Sequence, residues 1–198
     1  MIARSFLALP LLLPALVGCG NAAIDDKITA LQDDNLRPSA FHRAGQPCIL
    51  CHGVYKGASP ELVIGGSVFA GIPDNPKAKP IPVPGAKIII TDALNNVNGA
   101  KSPDTHDITT NCAGNFGLTH DEVVTRLGFD TIAFPLKVSV VCPNGGRTLE
   151  MKGRIAREGP CGGCHVGQKS ENSPGLIVCD GSGAEVPTPQ SCPGLFQQ

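Results

Sequence analysis

Short apolar runs ended by turn-forming clusters dominate the middle of this chain. Residues 63–69, 86–91, 115–119, 136–142 and 148–152 are rich in Val, Ile, Leu, Thr or Phe, a composition that predicts β-strands. Clusters such as Gly71-Ile-Pro-Asp-Asn-Pro and Asn95-Asn-Val-Asn-Gly separate them. Val138 and Val140 alternate with Lys137 and Ser139, as on a strand with one wet face. Strands at this spacing predict a mainly β fold, built as a small antiparallel sandwich over residues 63–155. Thr119-His120-Asp121-Glu122, followed by Val123, Val124 and Leu127, has the form of a capping box. A short helix is expected there, with Thr119 as N-cap and Glu122 reaching back to it.

The front of the chain has another pattern. Arg4 precedes an apolar run at residues 6–17, and small residues follow. This is the form of a secretory signal, and the run is too short to cross a bilayer. Leu16-Val17-Gly18-Cys19 resembles the lipobox of bacterial lipoproteins. The resemblance implies removal of residues 1–18 and acylation of Cys19, whose several chains suffice for stable anchoring. Gly20, where an aspartate would retain the protein at the inner membrane, implies sorting to the outer membrane. An ordinary cysteine inside a differently cut leader is the other reading of Cys19. Residues 19–40 then act as a tether, in which Ile24, Ile28 and Leu31 fall at helical spacing, fitting either a short amphipathic turn or a solvated linker.

Composition narrows the partners. Aromatic residues make up 4% of the chain, Trp is absent, and Gly 24 with Pro 18 is high, so the core is modest and the turns many. Without Arg4, 15 basic side chains face 17 acidic ones. With no basic stripe, nucleic acid is not an expected partner. No Gly-rich phosphate loop stands between a strand and a helix, and no Ser, His and acid grouping has a nucleophile's context.

The most informative residues are two copies of C-x-x-C-H, Cys48-Ile-Leu-Cys51-His52 and Cys161-Gly-Gly-Cys164-His165. A four-thiolate zinc site made from both pairs, or one redox-active dithiol, is open to such cysteines, but neither accounts for a histidine after each pair. Both stretches resemble the attachment sites of c-type cytochromes. That resemblance implies two haem c groups, held by thioethers at Cys48, Cys51, Cys161 and Cys164, with His52 and His165 as proximal iron ligands. Pro47 and Pro160 stand immediately before the motifs, so each turn is expected to start fresh out of a loop, within segments 41–62 and 156–198. For the sixth ligands the candidates are His42, ten residues before His52, then His106 and His120, and last Met151, whose strand-like run suits core packing.

Setting aside Cys19 and the motif cysteines leaves Cys112, Cys142, Cys179 and Cys192. In an exported protein an even remainder implies disulfides, with three connectivities allowed. Pairing within regions favours Cys112 with Cys142 and Cys179 with Cys192.

Gly66-Ser-Val-Phe, Pro84-Gly-Ala-Lys-Ile-Ile-Ile and Asn111-Cys-Ala-Gly-Asn-Phe, in that order, resemble the carboxypeptidase regulatory-like domain, a transthyretin-like seven-stranded sandwich. The resemblance implies a structural or adhesive module rather than catalysis. The chain departs from that pattern in Cys112 and in a polar insertion at residues 95–110. The whole then reads as a transthyretin-like sandwich flanked by two loop-rich haem-attachment segments. If the ends of the sandwich meet, the two haems pair in space. The expected function is electron transfer at the cell envelope between redox partner proteins or other cytochromes, or to an acceptor outside the cell. The rival readings are a small haem peroxidase or reductase with one open iron, and a surface binding module with accessory haems. Scarce aromatics argue against sugar stacking by such a module.

Overall fold

The computed structural model describes residues 22–31, 39, 42–53, 58–72, 80–97, 108–127, 132–157, 159–167 and 169–179. The leader, Cys19, His106 and Cys192 lie outside the described residues. The fold is mainly β, as the alternation of residues implies. Among the described residues eight short strands run in the order β1 (Leu62–Phe69), β2 (Lys87–Thr91), β3 (Ile108–Thr109), β4 (Asn115–Thr119), β5 (Lys137–Val141), β6 (Thr148–Glu150), β7 (Gly159–Pro160) and β8 (Ile177–Val178). Three short helices accompany them: α1 (Ala22–Thr29), α2 (Ile49–His52) and α3 (His120–Leu127). The tether residues Ile24 and Ile28 thus fall on a helix. Among the described residues no helix is long and apolar enough to cross a membrane.

Two sheets form. The second has the order β3-β2-β5-β6 and is antiparallel throughout, with Ile88 opposite Val140 and Val140 opposite Leu149. The first is centred on β1, which pairs antiparallel with β4 but parallel with β7 and β8. The strands up to residue 150 pair antiparallel, as expected of the sandwich, and the parallel pairing that makes the first sheet mixed comes from β7 and β8, beyond residue 155. The reason is that the segment after residue 156 does not stop at a loop, but returns to β1 and adds main-chain pairing to it.

Ile64, Val68, Phe116 and Leu118 from the first sheet are buried together with Ile88, Ile90, Ile108, Val138 and Val140 from the second. Each such side chain contributes about 1.5–3 kcal/mol by leaving water. The capping box forms as read. Glu122 N–H donates to Thr119 Oγ1 at 3.2 Å, Thr119 N–H donates to Glu122 Oε2 at 2.8 Å, and Val123 is buried beneath them. The polar insertion contains an element that its composition hides. Ile108 is buried, and Thr110 Oγ1 donates to Val83 O at 2.6 Å while accepting from Ala86 N–H at 2.9 Å, which fixes β3 on the edge of β2.

The cysteine pairing also differs from the expectation. Cys142 is bonded to Cys179, not to Cys112, across a sequence separation of 37. Pairing of β8 with the end of β1 explains this. Cys179 N–H donates to Phe69 O at 2.8 Å, which seats Cys179 beside Cys142 at the end of β5. The bond joins the two sheets and is buried at both ends. Cys112 is also disulfide-bonded, to a partner outside the described residues.

Candidate functional site

The first motif forms a single tight turn. Cys51 N–H and His52 N–H both donate to Cys48 O, at 3.1 and 2.9 Å, so the two thiols and the histidine share one helical turn. His52 Nδ1 lies 2.9 Å from Pro60 O. A carbonyl can only accept, so Nδ1 carries the ring proton and Nε2 keeps its lone pair. The flank of the motif is tied to the sandwich, because Gly45 N–H donates to Ser67 Oγ at 2.9 Å and Ser67 Oγ donates to Asn115 Oδ1 at 2.5 Å.

The second motif repeats this geometry with different sequence around it. Cys164 N–H and His165 N–H donate to Cys161 O at 3.2 and 2.9 Å, and His165 Nδ1 lies 2.8 Å from Gly175 O. Again Nε2 is left as the lone-pair nitrogen. Ser173, buried below the turn, fixes the loop that supplies this carbonyl. Its Oγ accepts from Gly175 N–H at 3.0 Å and lies 2.8 Å from Cys164 O.

The fold brings the two motifs together on one strand. A Cβ added at Gly65 would stand 3.4 Å from Cys48 Cβ, and one at Gly66 only 2.7 Å from Cys161 Cβ. Adjacent glycines in β1 therefore make the room into which both first cysteines pack. The motifs also touch directly: a Cβ at Gly162 would lie 2.5 Å from Gln46 O and 2.9 Å from Pro47 N. Pro47 and Gly162, each one position from the first cysteine of its motif, are thus in close backbone contact.

Burial sets the chemistry of those two thiols. Cys161 belongs to the hydrophobic core, and burial, with the Cys48 thiol beside it, pushes its pKa up to about 12. Burial also raises Cys48. Both sulfurs are therefore held as thiols at neutral pH, protected from ionisation and the oxidation that follows it. The sign of the pH effect follows. An unfolded thiol loses its proton near 9, while the folded Cys161 keeps its proton to about 12, so this stability is complete below 9 and lost as pH rises between these values. Denaturant titrations of the unmodified chain at steps from pH 8 to 12 are expected to show its midpoint falling relative to Cys161→Ala. Parallel pH curves would refute the burial assignment.

The other candidate ligands divide clearly. His42 lies beside His52, with ring centroids 5.9 Å apart and planes at 48°. Its Nδ1 rests on the Ser39 carbonyl, so a third histidine has its Nδ1 on the backbone. His120 is exposed at the start of α3, which packs on β4. Met151 follows β6, half-buried, with its N–H donating to Val138 O at 3.1 Å.

Sequence reading gave no sign of a cavity, yet one of about 1110 Å³ borders the second motif. Val138, Val140, Leu149, Ile155 and Ile177 supply apolar walls, and Cys161, Cys164, His165 and Met151 face the same space. Arg147, Arg154, Arg157 and Lys169 add cations to its lining, and Glu150 adds an acid that pairs with Lys137 at 3.4 Å. These cations sit in turns and at a strand end with no common spacing, so no pattern could have singled them out. Apolar walls, a ring nitrogen with a free lone pair, neighbouring thiols and several cations fit a flat apolar macrocycle that carries carboxylates and binds covalently. The donor set therefore suits haem. Among the described residues no group of three His, Cys, Asp or Glu side chains is arranged as a metal site.

Comparison with known proteins yields no matching family model, no matching curated protein and no matching solved structure.

Proposed function

We propose that this chain is an exported electron carrier with two covalently attached haems, anchored at the cell envelope through an acyl group on Cys19. The observation that carries the reading is the repeated geometry of the motifs. In both, two cysteines and a histidine share one turn, the histidine's Nδ1 rests on a backbone carbonyl, and the first cysteine packs against β1. A tied Nδ1 orients a ligating imidazole and raises the basicity of the other nitrogen.

Each thiol adds its sulfur and hydrogen across a vinyl double bond, a step that loses nothing and needs no oxidant. Bound in this way, haem supplies one-electron exchange at iron. His52 and His165 would hold the metal, and His42, whose ring lies 5.9 Å from that of His52, would share the first iron with it. Arg154, Arg157 and Lys169, cations that line the second cavity, would face the carboxylates of the second group. Contact of the motifs along β1 supports a close pair of carriers, which would suit passage of electrons between redox partners or other cytochromes.

Mass spectrometry of protein made with a haem-attachment system is expected to show two haem additions that survive acid extraction. Cys161→Ala combined with Cys164→Ala should remove one. A pyridine haemochrome spectrum of vinyl-free type should accompany them. Zinc in the purified protein, with no haem mass, would end this reading.

A further inference from the structure

Resting on the two-haem reading, we propose that the two irons are held unequally, His42 completing the site of His52 and the Met151 thioether completing the site of His165. Met151 and His165 line the same cavity, whereas His42 lies beside His52 with its ring 5.9 Å away. The β5–β6 register fixes the backbone of Met151, whose N–H donates to Val138 O at 3.1 Å. Apart from the cysteines, the other side chains of that cavity with donor atoms are charged. Glu150 pairs with Lys137 at 3.4 Å, and the rest are the cationic side chains of the arginines and Lys169, which offer no lone pair to a metal. The thioether is the neutral donor left to meet the iron of His165.

The inequality has a direction. Two imidazoles favour the oxidised iron, whereas a thioether favours the reduced one and raises the potential. Cations around the second cavity act in the same sense, since they oppose the extra positive charge of the ferric state. An electron entering at the first haem therefore runs downhill to the second.

The chain has two methionines, Met1 and Met151, and on the proposed reading Met1 is removed with the leader. Proton spectra of the reduced, fully loaded wild-type protein are expected to contain one methionine methyl resonance shifted far upfield by a haem ring current. A redox titration should resolve two one-electron waves. Met151→Leu should abolish the shifted methyl, lower only the upper wave and open one haem to carbon monoxide. Met151→His should restore low spin and bring the two waves together. His42→Ala should open the other haem and leave the methyl signal in place. Two haems attached without a shifted methyl, or an unchanged carbon monoxide response in Met151→Leu, would overturn the inequality alone. Loss of haem attachment in the wild type would overturn the two-haem reading itself. The wild-type spectrum decides the matter even where a variant does not fold.

Discussion

Gly162→Ala is expected to cost at least about 3 kcal/mol and to prevent loading of two haems on one chain. An added Cβ would meet Gln46 O at 2.5 Å, Gln46 C at 2.6 Å and Pro47 N at 2.9 Å. These are backbone atoms, and no side chain can rotate aside to make room. Either the second motif lifts from the first or the chain before Cys48 shifts, and that chain is held by the bond from Gly45 to Ser67. Gly153→Ala is the control, because its Cβ meets nothing within 4 Å, and a change within about 0.5 kcal/mol is expected there. Denaturant midpoints and haem stoichiometry give the two readouts. Equal behaviour of the two variants would show that the motifs do not depend on their mutual contact.

Replacing both Cys142 and Cys179 by Ala is expected to lower stability by about 4 kcal/mol, the loop-closure entropy for a separation of 37 residues. Using both substitutions avoids leaving a lone reactive thiol. The effect should be large because the bond does what no other covalent link among the described residues does, joining β5 in one sheet to the strand after which Cys179 stands in the other. A fall of less than about 1 kcal/mol would mean that main-chain pairing of β8 and the core around it already hold the segment.

Much of the sandwich was legible because alternation and turn residues act locally. Residues 115–119 form β4 as read, and β1 begins one residue earlier than expected, at Leu62. The capping box needed only Thr119 and Glu122. What escaped was made by long-range pairing. β3, β7 and β8 are two residues each, too short for any period to show, and they exist because β1 and β2 offer free edges. The disulfide failed for the same reason: nearness in sequence was used where nearness in space decided. In the site, the motif residues could be read directly from their spacing. The carbonyls of Pro60 and Gly175 that set the histidine tautomers could not, since any residue type supplies a carbonyl and only the loop path chooses which. Met151 reads as a core residue from its strand-like run and does pack against the core, whereas its share in the cavity depends on how the segment after residue 156 folds back.

That fold-back imposes an order of events in time. Ile64 pairs with Gly159 and Val68 with Ile177, closures of long chain loops that are slow to find. Once they form, Cys161 is only 8% exposed and borders the cavity beside the second motif. Covalent chemistry at that sulfur is easier while the chain is still open, before the cavity becomes its remaining approach. On the proposed reading, attachment and folding therefore compete, and a variant that closes faster should leave more of its copies unmodified.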